Sequence, residues 1–178
     1  MHRDLIELCR KGDIRSQYRL YKLYSKAMYN ICIRMLPNKI DAEDVLQDAF
    51  VSAFRNLKKY REESSFGAWL KRIVINKCID HLRRKRSLIF DEISDQFPDR
   101  PAEDEGIPEL APEVVHHAIK ELPEGARVVF NLFCMEGFRH KEIAETLGIS
   151  ESTSKTQYLR ARTLLQEKLK STLYETAY

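Results

Sequence analysis

Asp44, Gln47 and Asp48 stand at i, i+3 and i+4, a spacing that gathers three acidic or amide side chains on one helical face. With Asp41 nearby, they admit three chemistries: a solvated acidic face, a divalent-cation site, or a surface that docks on another protein. A cation site needs oxygen ligands converging from several directions, which acids on a single helix do not supply. His116 and His117 are adjacent, so on a helix they diverge and add no ligand set. Cys9, Cys32, Cys78 and Cys134 have neither zinc nor redox spacing. Each falls among apolar residues and reads as a buried, inert thiol. No catalytic residues, metal, cofactor or small-molecule substrate are expected.

Two other segments carry the chemistry of nucleic-acid binding. Tyr60-Arg61-Glu62-Glu63-Ser64-Ser65-Phe66 is a polar loop bracketed by aromatics. Trp69 follows, then Arg72, Asn76 and Asp80 four residues apart, then Arg83-Arg84-Lys85-Arg86. Polar loop, aromatics and basic helix together suit unstacked single-stranded DNA, while core packing accounts for most of the Trp69 surface. The second segment is HKEIAETLGISESTSKTQYLRAR, residues 140–162. Ala144 permits close helix crossing, Gly148 a tight turn, and Ile143, Leu147 and Ile149 a small core. Ser150 caps a second helix that presents Glu151, Ser152, Lys155, Thr156, Leu159 and Arg160, with Arg162 nearby. Helix, glycine turn, basic helix is the pattern that enters a major groove.

The elements that must position these residues are helices. No two-residue alternation and no Asn-Gly or Asp-Gly hairpin signal occurs. One helix spans 14–36 and stops at Pro37. Another runs from an Asp41 cap to about Leu57, burying Val45, Leu46, Ala49, Phe50, Ala53, Phe54 and Leu57. A third runs from Phe66 to Arg86 and buries Trp69, Leu70, Ile73, Cys78, Ile79 and Leu82. Downstream, helices begin near Pro112 and Glu124, the latter ending at Gly137; a short helix covers His140–Leu147, and the last spans Ser150 to about Leu173.

The 178 residues carry a net charge of +3 that hides an asymmetry. Residues 1–90 hold 20 Lys and Arg against 10 Asp and Glu, and residues 91–113 hold nine acids against one Arg. The remaining 65 residues are near neutral, so the helix-turn-helix binds weakly alone. Residues 91–111 are acidic and Pro-containing, which predicts a flexible linker between two small domains, 1–90 and 112–178. The longest apolar run is four residues, too short to cross a membrane. The N-terminus has no apolar core of signal-peptide length, so a cytoplasmic protein is expected.

DAEDVLQDAFVSAFRNL, SSFGAWLKRIVINKCIDHLRR and the helix-turn-helix ending in YLRARTLLQEKL together resemble extracytoplasmic-function (ECF) sigma factors of the bacterial sigma-70 family. The resemblance covers both domains. It implies an all-α chain, with a four-helix sigma region 2 and a helix-turn-helix sigma region 4. It implies a promoter-specific initiation factor with core RNA polymerase, promoter DNA in duplex and single-stranded form, and an anti-sigma factor as partners. Carried over by position, Asp44, Gln47, Asp48 and Arg55 dock on the polymerase. Tyr60, Arg61, Glu62, Ser64, Ser65 and Phe66, with Arg72, Asn76, Arg83 and Arg84, bind the minus-ten element and hold a flipped base. Ser152, Lys155, Thr156, Leu159, Arg160 and Arg162 bind the minus-thirty-five element. The linker follows the polymerase's RNA exit path.

Two positions depart from the family pattern. Ser154 stands where Val is common, on the buried side of the reading helix, and is expected to bond back to a helix carbonyl. Gln157 stands where Arg is common, which removes one phosphate contact. Two rival readings explain less. A ligand-responsive regulator needs a receiver-like domain, whose alternating strands and helices residues 1–90 lack. A small metal-dependent nucleic-acid enzyme using Asp41, Asp44 and Asp48 needs further acids or histidines converging in space.

Overall fold

The computed structural model describes residues 2–85, Phe90 and 111–176; of residues 173–176 only the backbone is described. Residues 91–110, nearly all of the expected linker, lie outside the described residues. The chain divides into two units, Met1–Lys85 and Arg86–Tyr178. Among the described residues every regular element is a helix. None of these helices is long and apolar enough to cross a membrane.

The first unit holds α1 (Arg3–Arg10), α2 (Ile14–Met35), α3 (Lys39–Arg55) and α4 (Phe66–Arg84), with a short 3-10 turn at Leu57–Lys59. Asp13 caps α2 by accepting from the Ser16 amide at 2.7 Å. The α3 cap differs from expectation. Asn38, not Asp41, accepts from the Ile40 and Asp41 amides, so α3 starts one turn earlier. Asp41 is thereby freed to pair with Lys85 Nζ at 2.6 Å and His81 Nε2 at 3.4 Å, joining the start of α3 to the end of α4. The Lys85 contact, ahead of the opposing effect of burial, holds the Asp41 carboxyl below its usual range.

The unit's core is filled by Leu20, Met28, Ile31 and Cys32 of α2, Val45, Leu46, Ala49 and Phe50 of α3, and Leu70, Val74, Cys78 and Ile79 of α4. Val74 and Ile75 take the buried positions expected of Ile73, which is only half-buried, as is Trp69. The apolar run Ile73–Ile75 spans more than half of the helix circumference, and only its later members face α2 and α3.

The second unit holds α5 (Pro112–Lys120), α6 (Glu124–Phe130), α7 (His140–Leu147) and α8 (Glu151–Thr176). Beyond Phe130, α6 continues as a wide π turn over Asn131–Met135, closed by Glu136 N donating to Asn131 O at 3.1 Å. Gly137 then adopts φ +76°. Arg127 is buried, and its Nη1 donates to the Lys120 and Leu122 carbonyls at 3.0 Å each, satisfying the end of α5. Ala118, Ile119, Leu122, Ala126, Ala161, Leu165 and Leu169 form a core beneath α5, α6 and α8.

Cys9, Cys32 and Cys78 are buried as expected, but Cys134 is exposed. The π turn rotates Cys134 and Met135 outward, away from the buried Asn131 and Leu132. Among the described residues no three His, Cys, Asp or Glu side chains come together as a group that could hold a metal ion.

Candidate nucleic-acid and docking interfaces

On α3 the buried residues occupy one side, and Asp44, Gln47, Asp48 and Arg55 all emerge on the other. Their spacing of three, one and seven residues keeps them in a single stripe along the helix. Val51 lies within this stripe at 47% exposed, and Ile40 begins it at 69%. Both escaped sequence reading, because an isolated apolar residue on a polar face carries no periodic signal. The stripe thus carries Asp44, Asp48 and Arg55 around the exposed Val51.

The loop before α4 is tightly built. Arg10, on α1, sends Nη2 to the Tyr60 carbonyl at 2.6 Å and Nε to the Leu57 carbonyl at 3.4 Å. Tyr60 Oη donates to the Ser64 carbonyl at 2.6 Å, closing the loop on itself. Glu62 adopts φ +61°, unusual for a residue with a Cβ, and its carboxylate meets Arg3 at 3.1 Å and Arg10 at 3.7 Å. Ser65 Oγ accepts from the Ala68 amide at 3.2 Å and starts α4. Beneath lies an aromatic cluster: Phe66 has ring centroids 5.2 Å from Tyr24, 5.7 Å from Tyr60 and 5.6 Å from Trp69. Gly67 makes room for it, since a Cβ there would sit 3.1 Å from the Tyr24 ring.

These contacts sort the expected DNA-binding residues. Tyr60 and Phe66 are buried and form the floor of the loop. Arg61, Glu62, Ser64 and Ser65 are exposed on its rim. Arg72, Asn76, Arg83 and Arg84 are exposed along α4, and the half-buried Trp69 and Ile73 border the same face. Arg3 and Arg10, which hold the rim, were missed because their partners are remote in sequence.

In the second unit, Ile143, Ala144 and Leu147 of α7 are buried, and Gly148 turns the chain at φ +68°. Ser150 Oγ accepts from the Thr153 amide at 2.9 Å and caps α8. Ser152 and Lys155 are exposed; Thr156, Leu159, Arg160 and Arg162 are half-buried. Lys155 pairs with Glu151 at 2.8 Å, which holds the Glu151 carboxyl below its usual range. Opposite, Ser154, Gln157 and Ala161 are buried. Ser154 Oγ lies 2.9 Å from His140 Nδ1, a side-chain partner rather than the expected carbonyl. Gln157 is 1% exposed, so its position points into the core and not at phosphate. His140 also stacks on Phe133 at 4.5 Å and meets Tyr158 edge-on at 5.7 Å.

A packed helical unit with a polar stripe on α3 and a hydrogen-bonded polar loop before α4, and a second unit with a capped helix-turn-helix, are the parts of a two-module DNA-binding transcription factor. Family models agree: "Sigma-70 region 2" matches residues 20–88 and "Sigma-70, region 4" matches residues 113–165. The RNA polymerase sigma-H factor of Pseudomonas aeruginosa is 31% identical, the alignment covering 96% of this chain and 95% of that one. The ECF RNA polymerase sigma factor SigM of Mycobacterium tuberculosis is 31% identical over 86% of this chain and 77% of that one. In fold the chain is similar to the sigma factor RpoE of Bartonella quintana, solved in complex with the anti-sigma factor NepR. That likeness has a TM-score of 0.58 at 24% identity and covers 88% of this chain and 98% of that one. The chain belongs to the ECF sigma factors of the sigma-70 family. It is a promoter-specificity subunit of RNA polymerase, with core polymerase and promoter DNA as partners.

Proposed function

We propose that the three surfaces divide the work of initiation. The α3 stripe of Asp44, Gln47, Asp48 and Arg55 seats the first unit on core polymerase, with Val51 at its apolar centre. Arg61, Glu62, Ser64 and Ser65 on the loop rim, with Arg72 and Asn76, receive a base flipped from the minus-ten element. Arg83 and Arg84 neutralise phosphate further along α4. Extrusion of a base costs a few kcal/mol, which a preformed pocket helps to offset. Ser152, Lys155, Thr156, Leu159, Arg160 and Arg162 engage the minus-thirty-five element from the major groove. The polymerase performs the phosphoryl transfer, so this chain contributes specificity and not catalysis, and it acts in the cytoplasm. An anti-sigma factor controls it, in the manner of the Bartonella quintana factor.

The observation that carries this reading is the rigid loop. Arg10, Tyr60 and Glu62 hold a polar rim in a fixed, strained shape directly before a basic helix. The docking half is tested by Asp44→Arg with Asp48→Arg. Both residues are exposed, so circular dichroism should be unchanged while pull-down of core polymerase falls at least tenfold. Unchanged pull-down would remove α3 as the docking surface.

A further inference from the structure

Away from α3, α1 and the first half of α2 enclose a groove of about 790 Å³ that none of the functions above uses, although Arg3, one of its lining residues, also pairs with Glu62 of the loop. Leu5, Leu8, Tyr18 and Leu23 line it, and Arg19 and Lys22 stand at its edge. Leu8 is 46% exposed, Tyr18 58% and Leu23 53%, an apolar strip that folding of this unit leaves uncovered.

The charge on the α2 side of this strip has one sign. Arg15, Arg19, Lys22 and Lys26 are exposed at spacings of four, three and four along α2, so they form one stripe. No acid lies between Asp13 and Met35 on this helix. Arg19, Lys22 and Lys26 have no carboxylate partner among the described residues; Lys22 rests over the Tyr18 ring at 5.3 Å. Asp4 is the single acid lining the groove.

From this juxtaposition we infer that the α1–α2 groove is a docking site for an acidic amphipathic helix of a partner protein. An apolar strip beside a helical row of bases is complementary to a helix with leucine-like residues on one face and carboxylates flanking them. Other occupants fit less well. Nucleic acid would satisfy the bases but leave Leu5, Leu8 and Leu23 uncovered. A second copy docked groove to groove would bring like charge. The chain's own residues 91–111 are acidic, but Pro98, Pro101 and Pro108 interrupt any helix long enough to fill the groove. The groove residues are distinct from those assigned to polymerase and DNA, so the proposal goes beyond the reading above and does not depend on it.

The test uses the full chain and a fluorescein-labelled, proline-free 18-residue peptide, with Leu along one helical face and Glu on its flanks. Fluorescence anisotropy at about 0.15 M salt, where exposed charge is largely screened, should give saturable binding. Leu8→Asp with Leu23→Asp should weaken it at least tenfold, as should Arg19→Glu with Lys22→Glu. A scrambled peptide of the same composition should bind at least tenfold more weakly. All four substituted residues are exposed, and circular dichroism confirms each variant's fold. The proposal is overturned by absent binding, by equal affinity for the variants, or by equal affinity for the scrambled peptide. It is also overturned if a synthetic 91–111 peptide or a single-stranded oligonucleotide displaces the probe at comparable concentration, which would make the linker or nucleic acid the occupant. Polymerase pull-down with the same variants separates this outcome from failure of the α3 reading.

Discussion

Arg10 on α1 donates from Nη2 to the Tyr60 carbonyl at 2.6 Å, so the N-terminal helix holds a loop fifty residues away. The same guanidinium reaches the Leu57 carbonyl at 3.4 Å, Glu7 at 2.5 Å and Glu62 at 3.7 Å. One planar fork thus fixes two backbone oxygens and two carboxylates around the rim proposed to receive a flipped base.

Arg10→Ala should therefore lower the urea-unfolding stability of the chain by about 1–3 kcal/mol, the usual loss for hydrogen bonds made by a charged group. Arg10→Lys should recover less than half of this. An ammonium is a single point of charge and cannot bridge two carbonyls in the fork geometry. Full recovery by Lys would mean that the charge near Glu62, and not the backbone clamp, is what matters.

Gln157 supplies a second test in the other unit. Its Oε1 and Nε2 are both buried without a hydrogen-bond partner, on the buried side of α8 between Ser154 and Ala161. A buried amide left unpaired costs about 1–3 kcal/mol. Gln157→Met keeps the volume and removes the polar atoms, so the unfolding midpoint should rise. A lower midpoint would show that an ordered water completes the amide.

How much of this was legible in the sequence differs by element. The end of α2 and the polar face of α3 follow from Pro37 and from a clean apolar stripe, both local signals. The turn at Gly148 is equally local, because its φ of +68° favours a residue without Cβ. The buried side of α8 was legible only in part. It begins with Ser154 and Gln157, polar residues whose burial is decided by α6 and α7 packing over them and not by their type. The start of α3 was misplaced because Asn38 and Asp41 are both competent caps, and only the Lys85 and His81 contacts decide which one is otherwise engaged. The Arg10 clamp left no trace, since its main partners are backbone carbonyls that any residue provides.

His140 should make the second unit sensitive to mild acid. Burial, and then the neighbouring Lys155 charge, lower its pKa below the usual 6.5, with Glu151 opposing. The folded chain thus binds fewer protons than the unfolded chain just below pH 6.5, so stability rises with pH there and is lost as pH falls through this window. His140→Gln should flatten that slope in urea titrations between about pH 5 and 7, while retaining a polar partner for Ser154. Asp41 offers an internal reference. Its lowered pKa contributes stability above the usual carboxylate range that is lost only in stronger acid. An unchanged slope in His140→Gln would assign the mild-acid sensitivity elsewhere.

The last prediction concerns melting of the promoter. Asn76 is exposed one turn beyond Arg72, on the α4 face bordered by Trp69 and Ile73. It caps nothing and packs in no core, so Asn76→Ala should leave unfolding stability within about 0.5 kcal/mol of the parent. Shortening Glu62–Ser65 removes the strained Glu62 and the Ser64 carbonyl that Tyr60 holds, and with them the rim itself. Both changes should spare polymerase pull-down and closed-complex formation, because neither touches the α3 stripe. Open-complex formation on duplex promoter should fall, because unstacking a base is no longer offset by a pocket. On a template with the minus-ten region already unpaired, most of the defect should disappear, since that energy has been supplied in advance. Permanganate footprinting on duplex and bubble templates reads the difference directly. A defect of equal size on both templates, or loss of polymerase binding in either variant, would assign the loop to structure and leave base capture to other residues.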